Sequence, residues 1–199
     1  MKKILFATTN QGKLKEIRSI LADLDCEIVS LKDAGITTQV EENGTTFEEN
    51  AKIKATAFAK ESGLITLADD SGLEVDYMDK APGVYSARFL GEDTSYDVKN
   101  MHIIDKLSTA KEEERTARFV CAICCAMPDG TVYETKGVIE GMIAYEPAGE
   151  NGFGYDPIFY VPEFGKTTAQ LSPEQKNKIS HRGLALEAMK NKLVDEGCL

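Results

Sequence analysis

The chain has 199 residues, of which 42% are hydrophobic and 28% charged. That make-up suits one globular domain, or one domain with two lobes, with a core that needs no staples. A formal net charge of −10 argues against non-specific binding to nucleic acid or to an anionic membrane, and no apolar run reaches the roughly 18–20 residues of a membrane span.

The first apolar run, Ile4-Leu5-Phe6-Ala7, is bounded by polar residues and reads as a buried strand. It stops too early for a secretory leader, so a cytoplasmic protein is expected. Leu14, Ile17, Leu21 and Leu24 follow at helical spacing. The polar turn Thr8-Thr9-Asn10-Gln11-Gly12-Lys13 therefore falls at a helix N-terminus, where free N–H groups favour anions. Residues 27–31 read as a second strand, and residues 33–44 as a polar loop carrying Glu41-Glu42. Thr45 and Glu48 form a capping-box pattern for a helix that runs to about Ser62 and ends at Gly63. Residues 64–68 form another buried strand leading into Asp69-Asp70-Ser71-Gly72, read as a turn. Residues 73–77 alternate and read as a strand after that turn.

Ala81-Pro82-Gly83 marks a loop, and a helix is expected over 95–108. Residues 116–127 and 131–144 flank Asp129-Gly130, a strong hairpin signal. Cys121, Cys124 and Cys125 lie inside the first of these apolar runs. No second Cys or His cluster completes a tetrahedral zinc set, so they read as buried thiols. A glycine-rich loop over 147–157 precedes a strand over 158–161. Ser172-Pro173-Glu174-Gln175 then opens a helix with N-cap, N1 proline and capping glutamine in order. About seven strands and four or five helices result. Early parallel-type units and a late hairpin together predict a mixed α/β sheet flanked by helices, with no linker that separates independent domains.

Several clusters carry chemistry. Asp69-Asp70 ends a buried strand, where ligands of open α/β sheets bind. Adjacent strand residues face opposite ways, so only one of the two aspartates is expected to face a site. A carboxylate there can hold Mg²⁺ and orient or deprotonate a water. Glu41-Glu42 could supply a second metal ligand. Lys13 and Lys54 are compact charges suited to phosphate oxygens, whereas Lys52 lies about 200° around the helix from Lys54. Gly152-Phe153-Gly154-Tyr155-Asp156-Pro157, followed by Lys176 and by Ser180-His181-Arg182, offers a ring to stack on a flat heterocycle and donors for phosphate or a base edge. No Gly-x4-Gly-Lys-Ser/Thr loop is present. Ser71 and His181 lack the Gly-x-Ser-x-Gly elbow of a serine hydrolase. His102 reads as structural.

The motifs Thr8-x-Asn10-x-x-Lys13, Phe47-x-Glu49-Asn50-Ala51-x-x-Lys54-Ala55, Asp69-Asp70-Ser71-Gly72-Leu73, Ala81-Pro82-Gly83-x-Tyr85-Ser86-Ala87-Arg88, Gly152-Phe153-Gly154-Tyr155-Asp156-Pro157 and Ser180-His181-Arg182 occur in that order. With them the chain resembles the inosine triphosphate pyrophosphatase (ITPase) family, over residues 3–193. The resemblance implies an elongated, two-lobed mixed α/β fold as a single ITPase-like domain, and a homodimer. It implies Mg²⁺-dependent hydrolysis of ITP, dITP and XTP to the monophosphate and pyrophosphate, which cleanses the nucleotide pool. The expected partner is a small-molecule nucleotide, with no nucleic acid and no membrane.

Carried over residue by residue, Thr8, Thr9, Asn10, Gln11, Gly12 and Lys13 hold phosphates. Asp70 is general base and metal ligand, and Ser71 touches substrate. Glu41 is the second metal ligand, with Glu42 as its rival, and Lys54 stabilises phosphates. Phe153, Gly154, Tyr155, Asp156, Lys176, His181 and Arg182 form the base pocket. A diphosphatase acting on dUTP or a modified pyrimidine is the rival enzyme reading. A nucleotide-binding sensor is the rival non-enzyme reading.

Overall fold

The computed structural model describes residues 2–198. Its strands are β1 (Lys2–Phe6), β2 (Cys26–Ser30), β3 (Ile65–Val75), β4 (Thr116–Ala126), β5 (Val132–Ile143), β6 (Phe159–Val161) and β7 (Lys166–Thr167). Its α-helices are α1 (Gln11–Ile20), α2 (Phe47–Ser62), α3 (Tyr96–Lys106), α4 (Pro173–Ile179) and α5 (His181–Asp195). The strands hydrogen-bond in the order β2-β1-β3-β4-β5-β6-β7. β1 runs parallel to β2 and to β3, while β6 is antiparallel to β5 and β7. The expected mixed α/β sheet is thus present.

The chain divides into two compact units. The first holds residues 2–70, 121–137 and 181–198; the second holds residues 71–120 and 138–180. In the first unit one face of the sheet packs on α1 and α5. Ile4, Phe6, Leu67, Cys121, Ile123 and Cys125 meet Leu14, Ile17, Leu186 and Met189 there. These strand positions share one parity, so Leu5, Ala122 and Cys124 point to the other face. Burial pushes the Cys121, Cys124 and Cys125 thiols up to about 12, as expected of cysteines acting as small hydrophobes. Gly137 lets α5 approach β5: a Cβ there would run into the His181 carbonyl oxygen and sit 2.7 Å from the Ala185 nitrogen. The second unit centres on Leu73, Ile103, Leu107, Phe119, Ile143, Ile158 and Phe159.

Three local readings change. Asp69-Asp70-Ser71-Gly72 is no turn, because β3 runs unbroken from Ile65 to Val75. β3 lies inside the sheet between β1 and β4, with Asp69, Asp70 and Leu73 buried, and this tertiary setting overrides the turn preference of Asp, Ser and Gly. The α2 cap is Thr46, whose hydroxyl accepts the Glu49 N–H, one residue later than the Thr45/Glu48 pattern; Gly63 closes the helix at φ 67°. The C-terminal helical stretch is two helices, because Ser180 adopts an extended backbone at ψ 152° between α4 and α5.

Candidate active site

β1 ends at Phe6, and the chain turns through Thr8 and Asn10 into α1. The Thr8 Oγ1 accepts the Asn10 N–H at 3.1 Å, and the Asn10 Oδ1 accepts the Lys13 N–H at 3.1 Å. Thr9, Asn10 and Gln11 are exposed at this N-cap. Lys13 leans back to β3, its ammonium 2.9 Å from Asp69 Oδ2.

Asp69 and Asp70 are adjacent in β3, so their side chains leave opposite faces. Asp69 shares its parity with Leu67 and faces α1 and α5. Besides Lys13 it meets the Arg182 guanidinium at 3.4 Å, and Arg182 also binds Glu16 of α1 at 2.5 Å. Burial by itself would raise the Asp69 pKa, yet Lys13, Arg182 and Lys54 together hold it well below the usual carboxylate range. Burial likewise works against the Arg182 cation, but Asp69 and Glu16 keep its pKa above the ordinary value. Arg182 is 2% exposed, so it is no surface arginine. Asp69 is locked as a permanent anion.

Asp70 faces α2. Its Oδ2 accepts a hydrogen bond from the Asn50 amide at 3.0 Å. Lys54 lies one helical turn after Asn50 and pairs with Glu42 at 2.9 Å. Burial pushes the Asp70 carboxyl up to about 6, against the pull of Lys54 and the Asn50 amide and with the push of Glu42. Desolvation works against the cation of half-buried Lys54, but Asp69, Glu42 and Asp70 hold its pKa above the ordinary lysine value. One strand therefore carries two neighbouring carboxylates with opposite behaviour: Asp69 ionised at every working pH, Asp70 poised close to neutrality.

Glu42, and not Glu41, reaches Lys54 and acts on Asp70; Glu41 is exposed. The structure thus favours the rival of the two acids as the carboxylate near Asp70. Among the described residues no three His, Cys, Asp or Glu side chains gather into a metal cage. Asp70 with one acid of the 41–42 segment offers oxygen donors of the kind that could serve a hard cation, which keeps several waters and binds through one or two carboxylates plus substrate phosphates.

The second unit holds the other group. Asp156 is 3% exposed and gathers its loop. Its Oδ2 accepts the Phe153 N–H at 2.8 Å and pairs with the Lys176 ammonium at 2.6 Å, while its Oδ1 accepts the Thr168 hydroxyl at 2.8 Å. The Lys176 ammonium lies 5.0 Å from the Phe153 ring centroid. Gly152, at φ 74°, has no room for a side chain, since a Cβ would run into the Asp156 carboxylate. The Gly154 carbonyl accepts the Asn100 amide at 3.1 Å, and Tyr155 donates to the Ser86 carbonyl at 2.7 Å. Phe153 is half-buried on this braced loop. Ser71, half-buried in β3, belongs to the same unit. The expected base-pocket residues thus divide: Phe153, Gly154, Tyr155, Asp156 and Lys176 lie together, whereas His181 and Arg182 belong to the first unit, where Arg182 holds Asp69.

His102 packs edge-on against Phe89 with centroids 5.7 Å apart, in keeping with a structural role. Sequence reasoning gave no role to Asn50 or Glu16. Asn50 had a signal: Phe47, Asn50, Ala51, Lys54, Ala55 and Phe58 mark one stripe of α2, and an amide inside an apolar stripe needs partners. Glu16 had none, because its partner lies 166 residues away. No helix among the described residues is long and apolar enough to cross a membrane.

The Ham1 family model matches residues 4–192. The chain is 50% identical over 192 residues to the dITP/XTP pyrophosphatase of Exiguobacterium sp. strain AT1b, covering 96% of this chain and 97% of that one. It is 45% identical over 195 residues to the dITP/XTP pyrophosphatase of Bacillus subtilis strain 168, covering 98% of each. Among solved structures, a HAM1 protein from Coxiella burnetii superposes with a TM-score of 0.88 at 42% identity, covering 98% of this chain and 100% of that one. The Staphylococcus aureus Ham1 protein superposes equally, at 0.88 and 44% identity, with the same coverage.

Proposed function

The chain belongs to the Ham1 family, and on that premise we propose that it hydrolyses deaminated purine nucleoside triphosphates, namely ITP, dITP and XTP, to the monophosphate and pyrophosphate. The observation that carries the chemistry is the Asp69-Asp70 pair, with one carboxylate locked as an anion and the next raised to about 6 beside Lys54 and Asn50. A base with a pKa near the working pH is effective at taking a proton from water.

In the proposed reaction, a water attacks the α-phosphorus and Asp70 accepts its proton. A bond forms from the water oxygen to phosphorus, the bond to the bridging oxygen breaks, and pyrophosphate leaves with its electron pair. Negative charge grows on the phosphate oxygens, and Lys54 and Lys13 are the ammonium groups proposed to stabilise it. The polar turn of Thr8, Thr9, Asn10, Gln11 and Gly12, with Thr9, Asn10 and Gln11 exposed, is proposed to hold phosphate oxygens at a helix N-terminus. Asp70 and an acid of the 41–42 segment would hold a divalent cation, with Mg²⁺ the natural occupant of an oxygen-only set. When bound, such an ion supplies charge neutralisation for the phosphates.

For the base, Phe153 is proposed to stack on the purine, and Lys176 and Asp156 hold the loop that presents it. Inosine and xanthine carry an oxygen at C6 where adenine carries an amine. A donor that pairs with that oxygen faces another donor in ATP, and the lost bond discriminates. Arg182 and His181 are the proposed donors. A guanidinium has five N–H groups, so holding Asp69 and meeting an oxygen are compatible. A homodimer is proposed as the assembly.

The test is a nucleotide screen with phosphate detection after added inorganic pyrophosphatase. ITP, dITP and XTP should give strong signals and ATP and GTP weak ones. Omitting the coupling enzyme should drop the signal to background, since the product is pyrophosphate. Equal signals for ITP and ATP would overturn the assignment.

A further inference from the structure

We propose that Asn50 is a positioning residue that ties the acidic segment 41–44 to Asp70 and sets the direction of the Asp70 carboxylate for catalysis. The proposal rests on the hydrolytic reading above. Asn50 is 0% exposed in the first turn of α2. Its amide is used from both ends. The oxygen accepts the Gly44 N–H at 2.8 Å, and the nitrogen donates to Asp70 Oδ2 at 3.0 Å. Glu42, two residues before Gly44, is the acid that meets Lys54 at 2.9 Å. One side chain thus links the segment carrying that acid to the strand carrying the base.

The neighbourhood is shaped around this link. A Cβ on Gly44 would lie 2.7 Å from Asn50 Oδ1 and 2.7 Å from Glu49 Cβ, so only glycine lets the segment come this close. The same turn is fastened a second time by Glu49, whose carboxylate accepts the Thr45 N–H at 2.6 Å and the Thr45 hydroxyl at 3.0 Å.

The chemistry needs an amide and nothing else of that size. Aspartate would keep the acceptor for Gly44 but lose the donor and set a second anion against Asp70. Leucine would keep the volume and lose both bonds. The carboxylate torsion of aspartate is broad and soft. Fixing Oδ2 with a donor therefore fixes where the other oxygen aims. Displacing a reacting group by about 1 Å can cost roughly 10²-fold in rate. Orientation of a base matters in the transition state more than in the bound ground state, so the cost should fall on kcat and spare KM.

The experiment measures kcat and KM for ITP with Asn50→Asp, Asn50→Leu, Gly44→Ala and the Gly44→Ala/Asn50→Leu double variant, each assayed well below its own melting transition. Both Asn50 variants should lose about 30- to 100-fold in kcat with KM within about threefold of wild type. Gly44→Ala keeps the Asn50 and Asp70 side chains but pushes the segment off Asn50, and should still lose at least about tenfold. Added to Asn50→Leu it should cost less than about threefold more, because both act on one link. A folded Asn50→Leu enzyme with near wild-type kcat would overturn the proposal. So would a rise in KM alone, or Gly44 and Asn50 losses that multiply. If the Asn50 variants do not fold, Gly44→Ala decides by itself, with a kcat near wild type as the overturning result. Inactivity of the wild-type enzyme on ITP would instead count against the hydrolytic reading.

Discussion

Asp70 is held against its own stability, and Asp70→Asn should show it. The carboxyl is 8% exposed and its pKa rises from the ordinary 3.8 to about 6. Between those values the native state keeps a proton that the unfolded chain has released. The stability tied to this group is therefore fully present below about pH 4 and lost as pH rises through about 6. At about 1.4 kcal/mol per decade, the ionised Asp70 costs the fold about 3 kcal/mol above neutrality. Asparagine removes the charge and keeps an oxygen for the Asn50 amide. In EDTA at pH 8, Asp70→Asn should be more stable than wild type by about 2–3 kcal/mol, or roughly 5–10 °C in Tm for a chain of this size. At pH 4 the gain should shrink below about 1 kcal/mol. The same variant should lose about 10²–10⁴-fold in kcat, the usual cost of a missing general base. Thermal melts at the two pH values, with ITP turnover at saturating Mg²⁺, make the measurement. An Asn variant no more stable than wild type at pH 8, or a gain that persists at pH 4, would refute the burial argument. A variant keeping more than about a tenth of wild-type kcat would refute Asp70 as base and turn attention to Asp69.

Two further outcomes follow from the same geometry. Arg182→Ala removes the cation that buried Asp69 shares with half-buried Glu16, leaving Lys13 to Asp69, and should cost about 3 kcal/mol in urea unfolding. If Arg182 also reads the C6 oxygen, the ITP-to-ATP ratio of kcat/KM should fall roughly 10- to 150-fold; an unchanged ratio would confine it to holding Asp69. Of the five cysteines, Cys121, Cys124 and Cys125 are buried with thiols pushed up to about 12. A thiol reagent at pH 8 should therefore modify no more than Cys26 and Cys198 in the native protein, and all five in denaturant. Rapid reaction of a third thiol would contradict the packing of β4.

Much of this protein is local, and what is local is legible in the chain. Ile4-Leu5-Phe6 followed by a polar turn and the Leu14, Ile17, Leu21 spacing specified β1, the polar turn at a helix N-terminus and α1, because apolar periodicity acts over a few residues. Asp129-Gly130 specified the turn between β4 and β5, where Gly130 takes φ 94°. Strand alternation even required Asp69 and Asp70 to part company. It could not say which of them becomes the poised one. That depended on which helices cover which face: α1 and α5 bring Lys13 and Arg182 to Asp69, while α2 brings Asn50 and Lys54 toward Asp70. Its place between β1 and β4 carried β3 through Asp-Asp-Ser-Gly, which local propensity reads as a turn. The choice of Glu42 over Glu41 beside Lys54, and of Glu16 as partner to Arg182, was likewise made by packing. Charge interactions act through space and burial sets their strength. A chain read residue by residue supplies the charges, and only the folded arrangement supplies the distances.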